Sequence, residues 1–270
     1  MIGFMKEKPK SHASIRTLRP LKVDLHLHTA EDPLHRIEYT AKELVSRAAD
    51  EGFDVLAITN HDSITFNRNL ASYARERGIL LIPGVEITIR NRHILLLNPP
   101  HGKIPSDFTS LANLRHPETL IIAPHPYFPN PHSLNGLLLK HLKLFDAIEY
   151  CHFYSPRINF NHIASRVSRY HGLPLIGNSD AHFPDQFGTT YSLIHAERDL
   201  ASVFGAIRKG KLEVMTRPLT PLQMGSLLGR FLTMALERQR IRHGQWLRTR
   251  LRTRRSRLRL LPPYSPLPKG

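Results

Sequence analysis

The sequence predicts an α/β fold, in which strands alternate with helices to build a parallel sheet. Short apolar runs alternate with amphipathic segments of helical periodicity from residue 21 to about residue 210. Histidines and carboxylates recur directly after the apolar runs, which is where α/β barrels place their chemistry. The periodicity fits both an open doubly wound sheet and a closed barrel, and the polar residues at the strand ends favour the barrel.

The predicted helices carry apolar residues on one face and end at a polar or glycine position. In the first helix Leu44, Val45 and Ala48 share a face, and Gly52 is the stop signal. Gly78 ends the second helix in the same way. The predicted helices are Ala41–Glu51, Asn67–Arg77, Leu134–Leu142, Asn159–Tyr170 and Leu200–Lys209.

The predicted strands are short apolar runs bounded by polar residues. Two of them, Ile87–Ile89 and Ile94–Leu97, flank the polar turn Arg90-Asn91-Arg92 and are expected to form a hairpin. The others are Leu21–Leu25, Val55–Thr59, Ile79–Ile82, Leu120–Ala123, Ala147–Tyr150, Leu173–Ile176 and Tyr191–His195.

The composition narrows the class of protein. The 270 residues suffice for one large domain with a full core. Cys151 is the single cysteine, so an intramolecular disulfide and a cysteine-rich zinc site are excluded. No apolar run approaches the roughly 20 residues that span a bilayer, and residues 1–20 lack the apolar stretch of a signal peptide. These features predict a cytoplasmic protein.

The positive charge is concentrated at one end of the chain. The formal net charge is +16, and from Arg230 to Gly270 twelve lysines and arginines face a single acid, Glu237. The predicted organisation is therefore a flexible basic leader at residues 1–20, one domain at residues 21–220, and a basic, amphipathic or disordered tail at residues 221–270. A helix at residues 223–242 is expected to carry Leu227, Leu228, Phe231, Leu232 and Ala235 on one side.

The first cluster of metal-capable residues is Asp24-Leu25-His26-Leu27-His28. Alternate side chains of a strand point to the same face, so His26 and His28 are expected to share a face with Asp24. Two imidazoles at this spacing can hold one metal ion. An isolated His-x-His pair is weak evidence by itself.

The same kind of residue recurs at later strand ends. His61, Glu86, His125, His152, Asp180 and His182 each follow a predicted strand. Each residue alone could be an ordinary loop or capping residue. Their joint occurrence at successive strand ends predicts a metal centre at one end of the sheet.

The motifs resemble those of the PHP (polymerase and histidinol phosphatase) family. The resemblance rests on Asp24–Thr29, Ala57–Asp62, Pro83–Glu86 and Asn178–His182 and covers about Lys22 to Met215. It implies a distorted (β/α)7 TIM-like barrel that binds two or three divalent metal ions. It also implies hydrolysis of phosphate esters, with substrates ranging from histidinol phosphate and nucleotides to oligonucleotide ends.

The resemblance also implies a metal-ligand set. His26 and His28 would bind a first metal with Glu86 and Asp180, and Glu86 would bridge to a second metal held by His93 and His125. His61 and His182 would bind a remaining metal. One further ligand belongs in the loop after the first strand, where Asp32 is favoured and His35 competes. The ligand set is His26, His28, Asp32, His61, Glu86, His93, His125, Asp180 and His182.

Mixed imidazole and carboxylate ligands suit zinc, manganese or iron. Such ions lower the pKa of bound water and neutralise charge on phosphoryl oxygens, which predicts a metal-bound hydroxide as nucleophile. His125 or His182 could protonate the leaving oxygen. Arg157 is a candidate phosphate clamp, and a solvated surface role for it is equally compatible with the sequence.

Two other functions are compatible with the sequence. One is a catalytically weak metal-binding module that binds nucleic acid through its basic tail. The other is an amidohydrolase-type barrel, which normally uses a bridging lysine that has no counterpart at the strand ends here. The tail itself could be a solubilising segment, a nucleic-acid contact or an attachment to anionic membrane surface.

Overall fold

The computed structural model describes residues 19–236 as nine strands in one curved sheet with seven α-helices. The strands are β1 (Leu21–Leu27), β2 (Val55–Ile58), β3 (Leu80–Ile89), β4 (Arg92–Leu97), β5 (Leu120–Ala123), β6 (Ala147–Cys151), β7 (Leu175–Asn178), β8 (Thr190–Ile194) and β9 (Leu212–Thr216). The helices are α1 (Ala41–Asp50), α2 (Arg68–Glu76), α3 (Phe108–Ala112), α4 (Gly136–Lys140), α5 (Asn161–His171), α6 (Leu200–Arg208) and α7 (residues 221–236).

The sheet closes into a nearly complete barrel. Its strand order is β7-β6-β5-β4-β3-β2-β1-β8-β9. At the other edge His28 N donates to Ala181 O at 3.2 Å, which joins the end of β1 to the segment after β7. Strands β1–β7 therefore form the barrel wall, and the β8–β9 hairpin lies beside the lower part of β1. The predicted TIM-like α/β barrel is confirmed.

The sheet is mostly parallel, as predicted, but it also contains antiparallel pairs. β1, β2 and β3 are parallel to one another, as are β5, β6 and β7, but β4 is antiparallel to both of its neighbours. β8 pairs antiparallel with β1 and with β9. The cause at β4 is the predicted hairpin, since Arg90 and Asn91 adopt positive φ angles of 49° and 60° and turn the chain straight back.

Local backbone geometry explains the other differences from prediction. The two strands expected at residues 79–82 and 87–89 are one strand, β3, which runs through Pro83 and Gly84. A Cβ on Gly84 would lie 2.8 Å from Thr59 Cγ2, so only glycine lets β3 pass β2 this closely. Asn135 has a φ of 49° and delays α4 until Gly136. Strand β9 and helix α3 were not predicted.

The lower half of the barrel is filled by aliphatic side chains. Val23, Val55, Ile82 and Ile122 are buried there, and α6 closes this end with Phe204. The outer faces of the strands form two further apolar clusters beneath the helices. This packing leaves the opposite, C-terminal end of the parallel strands for polar residues. Within residues 19–236 no helix is long and apolar enough to cross a membrane.

A substitution of Gly177 in β7 tests how tightly β7 packs where the barrel closes. A Cβ at this position would lie 2.7 Å from Val214 Cγ1 and 3.0 Å from Tyr191 O. We expect Gly177→Ala to lower the free energy of unfolding by about 1–3 kcal/mol because β7 would be pushed off the β8–β9 hairpin. Chemical denaturation measures this.

Gly205→Ala is the matched control. Gly205 lies inside α6, and an added Cβ meets no atom within 4 Å. We expect this change to be neutral or to stabilise by up to ~1 kcal/mol. Equal stability of both variants would contradict the proposed closure through β7.

Candidate metal centre

A bulge in β1 turns His26 and His28 into the barrel. Asp24 pairs with Leu56 and Leu27 with Ile58, so two residues of β1 oppose one of β2. Leu25 consequently packs in the interior cluster, whereas Leu27 packs beneath α1. The expectation that Asp24 shares a face with both histidines is wrong, because the bulge breaks the alternation. The Asp24 carboxylate instead accepts from Ser179 N at 3.2 Å.

The Glu86 carboxylate lies at the centre of the cluster. On one side Oε1 is 2.8 Å from His93 Nδ1 and 3.2 Å from His125 Nε2. On the other side Oε2 lies 3.4, 3.3 and 3.1 Å from Nε2 of three further histidines, His26, His28 and His61. Glu86 is 1% exposed. Its two oxygens thus face two separate groups of imidazoles, which is the arrangement of a bridging carboxylate.

Asp180 completes the side that carries the β1 histidines. Its Oδ1 lies 3.3 Å from Nε2 of both His26 and His28 and 3.4 Å from His182 Nδ1. Among the described residues these two Nε2 atoms and Asp180 Oδ1 are buried without a hydrogen-bond partner of acceptable geometry. Buried polar atoms that converge without partners need a cation or water. Two imidazoles and two carboxylates fit a divalent metal ion.

The outer nitrogens of the β1 histidines are held by further carboxylates. His26 Nδ1 lies 2.9 Å from Glu149 Oε1, and His28 Nδ1 lies 3.0 Å from Asp32 Oδ2. Hydrogen bonds of this kind fix the tautomer, so that Nε2 presents its lone pair to the metal. Glu149 also accepts from His125 N at 2.8 Å. Sequence reasoning missed Glu149, although an acid inside the apolar run Ala147–Cys151 is an available signal.

The loop after β1 contributes both Asp32 and His35, in different ways. Asp32 Oδ2 accepts from His28 Nδ1 and from the backbone and ring nitrogens of His61, and Oδ1 accepts from two backbone N–H groups. These hydrogen bonds use the lone pairs of the carboxylate. His35 Nδ1 instead faces His182 Nε2 at 3.1 Å. Asp32, His35 and His61 could converge on one metal ion. Because the Asp32 oxygens already accept these hydrogen bonds, we propose His35 as the ligand and Asp32 as the residue that orients His28 and His61.

The remaining predicted residues divide into two groups. His61, His93, His125 and His182 are all buried at the cluster. Arg157 is exposed and does not line the cavity over the cluster, so the structure does not support a phosphate clamp there. The cause is a tight turn in which Ser155 N donates to Ile158 O at 2.8 Å and holds Arg157 at the surface.

His152 follows β6 as expected but is not part of the metal-ligand cluster. Its Nε2 lies 2.7 Å from Gln186 Nε2. Gln186 Oε1 accepts from the backbone of His182 and Phe183, so the Gln186 amide nitrogen must be the donor to His152. Burial lowers the pKa of His152 to about 4. This histidine is therefore neutral and supports the loop that carries His182.

The ionisation of the metal-free cluster reflects its crowded carboxylates. Burial by itself would lower the pKa of His28, but the neighbouring carboxylates of Asp180, Asp32 and Glu86 raise it to about 10. The pKa of His26 is likewise raised, against burial, by the charges of Asp180 and Glu149. Protons on these imidazoles balance the buried carboxylates until a metal replaces them.

A cavity of about 690 Å³ opens over the cluster. Its floor includes His61, Glu86, His125 and Asp180. One part of its wall is polar, with Asn91, Asn130 and His132, and another is apolar, with Phe128, Phe153, Leu228, Phe231, Met234 and Ala235. The volume is that of a site for a small molecule or a nucleotide.

Comparison with known families agrees with this geometry. The PHP domain model matches residues 24–166, and a PHP-associated model matches residues 159–212. The chain belongs to the PHP family. The matched PHP region contains His26, His28, Glu86, His93 and His125, and the PHP-associated region contains Asp180 and His182.

Individual proteins resemble the chain at low identity or over part of its length. Over 101 residues the chain is 40% identical to a 5′-3′ exoribonuclease of Haemophilus influenzae, a match that covers 35% of each protein. A two-domain protein of Bacteroides vulgatus containing a predicted PHP-like metal-dependent phosphoesterase superposes with a TM-score of 0.59 at 18% identity, covering 80% of this chain and 70% of the other. A lesion-specific endonuclease of Pyrococcus furiosus gives a TM-score of 0.52 at 18% identity, with coverages of 74% and 59%. The two structures show the shared fold.

Substitutions in the loop after β1 distinguish the two candidate ligands, Asp32 and His35. We expect Asp32→Asn to lower the stability of metal-free protein by about 1–3 kcal/mol, because an amide N–H would face buried donors. We expect His35→Ala to lower metal-free stability less than Asp32→Asn does, because His35 is less buried, and to reduce the bound metal. Thermal unfolding in chelator and elemental analysis measure the two effects. Full metal content in His35→Ala would contradict the assignment of His35.

The pH dependence of the stability of metal-free protein follows from the raised pKa values of its histidines. For His28 the pKa is about 6.5 when unfolded and about 10 when folded, so its stabilisation is complete below pH 6.5 and is lost as pH rises toward 10. We expect the Tm of chelator-treated protein to fall between pH 6.5 and 9.5. Burial lowers the pKa of His93 and of His182. The protonation of these two histidines therefore affects stability only below pH 6.5.

Metal should reverse that trend, because it displaces the protons on His26 and His28 and binds more tightly as pH rises. Thermal unfolding with and without added Zn²⁺ at several pH values is the measurement. A metal-free Tm that rises steadily from pH 6.5 to 9.5 would show that the two histidines are neutral.

Proposed function

We propose that this chain is a divalent-metal-dependent phosphoesterase that acts on nucleotides or oligonucleotide ends, including 5′-3′ exonuclease-like hydrolysis. The observation that carries the proposal is the position of Glu86 between two groups of imidazoles, with Asp180 facing the first group. Such paired sites suit phosphoryl transfer. The 40% identity to a 5′-3′ exoribonuclease over 101 residues supports a nucleic-acid substrate.

In this proposal the chain would hold up to three metal ions. His26, His28, Glu86 and Asp180 would bind the first, and Glu86, His93 and His125 the second. His61, His182 and His35 would bind a third, with Asp32 orienting His61. Zinc, manganese and iron all suit these ligands. When bound, such ions make water a better nucleophile and neutralise charge on the phosphoryl oxygens.

The protein's own part is positioning and charge. The ring nitrogens of His182 face Asp180 and His35, and His125 Nε2 faces Glu86. We therefore assign both histidines to metal binding, which uses the lone pairs of these nitrogens. In this proposal neither histidine is the proton donor. Glu149 and Asp32 keep the imidazoles oriented, and the deep cavity admits a phosphate group to the cluster.

The basic tail enters this proposal only as a prediction. Residues 221–236 form α7, which packs on the barrel, so a boundary at residue 220 divides a packed unit. The arginine-rich part of the tail lies outside the described residues, as does the leader at residues 1–18. Its interaction with nucleic acid or with anionic membrane remains a prediction from composition.

Activity on a panel of phosphate esters tests the function. We expect purified protein with Mn²⁺ or Zn²⁺ to hydrolyse a 5′-phosphorylated RNA or a 3′,5′-bisphosphonucleotide better than p-nitrophenyl phosphate or histidinol phosphate. The double variant His26→Ala/Asp180→Ala should lose about a thousandfold or more in kcat/KM, because it removes half of the first ligand set.

The matched control is His162→Ala, since His162 is exposed on α5. Its kcat/KM should stay within about twofold of the parent value. Metal-loaded protein that hydrolyses none of the four substrates would contradict the proposal.

A further inference from the structure

Helix α7 is firmly docked beside the metal centre although it lies beyond the residues that the family models match. It begins with a capping box, in which Thr220 N donates to Gln223 Oε1 and Gln223 N donates to Thr220 Oγ1. Leu227 and Met234 are buried against Leu219 and Phe183. On the expected apolar side of this helix, Leu228 and Leu232 are 54% and 63% exposed.

A polar clamp fixes the rotation of α7. Arg230 Nη1 donates to Asp185 Oδ1 at 2.7 Å, and its guanidinium lies 3.8 Å from the centroid of the Phe183 ring. Asp185 and Phe183 belong to the segment that directly follows the metal-centre residue His182. The helix is therefore held by the same loop that carries part of the cluster.

Docking in this orientation brings Phe231 to the cavity. Its ring centroid is 5.6 Å from that of His182, 5.2 Å from Phe183 and 6.3 Å from Phe153. Phe153 in turn lies 5.3 Å from Phe128 in an edge-to-face arrangement. Phe128, Phe153 and Phe231 all line the cavity and together form an aromatic wall that reaches the metal centre.

A site that bound only phosphate would make no contact with this aromatic wall. Phosphate and its esters with polyols would leave three aromatic rings in contact with water, whereas a nucleobase stacks on aromatic faces with any base identity. The same cavity carries the amides of Asn91 and Asn130, which can donate to and accept from the polar edge of a base. The cavity volume of about 690 Å³ accommodates a nucleotide.

We propose that the aromatic wall, with Phe231 of α7 as its specificity-determining residue, binds the nucleobase of the nucleotide whose phosphate is at the metal centre. This inference rests on the proposed function and specifies its substrate. Recognition through stacking is tolerant of sequence, so purine and pyrimidine nucleotides are both substrates, with purines bound more tightly through their larger ring.

The test compares ligands with and without a base on metal-loaded protein. A non-hydrolysable phosphonate analogue of adenosine 5′-monophosphate, in which a methylene group replaces the ester oxygen, and inorganic phosphate are titrated by calorimetry into the parent protein and Phe231→Ala. We expect Phe231→Ala to weaken nucleotide binding by about tenfold or more and to leave phosphate binding within twofold. Phe231→Tyr should retain the parent affinity, because it keeps the ring.

Leu232→Ala is the matched control, since Leu232 is the next residue of α7 and is exposed outside the cavity. It should change neither affinity. Metal content and Tm of each variant show whether the loss of the ring has disturbed His182 or the docking of α7. If Phe231→Ala proves unstable, Phe231→Leu keeps an apolar anchor while removing the aromatic face.

Three outcomes separate the two proposals. If Phe231→Ala weakens the binding of nucleotide and phosphate equally, or weakens neither, the aromatic wall is not a base site. Hydrolysis by the parent protein would still support the proposed function in that case. Loss of nucleotide binding in Leu232→Ala as well overturns the specific role of Phe231. A parent protein that hydrolyses no substrate and binds neither ligand overturns the proposed function itself.

Discussion

The buried carboxylate of Glu86 is the interaction on which the upper half of the barrel depends. Five imidazole nitrogens lie within 3.4 Å of its two oxygens, and the buried Glu149 and the half-buried Asp180 lie beside them. A charged carboxylate can be kept from water only when positive charge compensates it. The raised pKa values of His26 and His28 show how the protein supplies that charge with protons. A metal ion supplies it better, because it also satisfies the converging nitrogens.

Two residues of the centre lie in left-handed backbone conformations. His125 and Asp180 have φ angles of 29° and 47°, and they follow β5 and β7. Non-glycine residues adopt this region at a cost of about 1–3 kcal/mol, so the surrounding hydrogen bonds must hold them there. The sharp turn lets a side chain just past the strand end point back over the barrel. Local strain is thus present at two positions where candidate ligands converge, and the apolar lower half of the barrel stabilises it.

The sequence was sufficient to predict eight of the nine strands and most of the residues that meet in the cluster, because strand ends and side-chain chemistry are local properties. It was insufficient for Glu149 and for the choice between Asp32 and His35, since these depend on which atoms meet across the barrel. The β1 bulge could not be predicted from the sequence either, because it arises from the pairing of β1 with β2. The place of α7 depends on Arg230 and Asp185, which are 45 residues apart in the chain.

The bulge in β1 also has a consequence for how this strand can change. His26 and His28 face inward only because one extra residue resets the phase of the strand after Asp24. A regular strand of the same length would alternate from Asp24 onward, turn His26 and His28 outward and place Leu27 at the metal centre. Substitutions in β1 act on one side chain at a time, whereas loss of the bulge would turn both histidines away together. The placement of both histidines therefore depends on an irregularity of pairing with β2 that no single side chain carries.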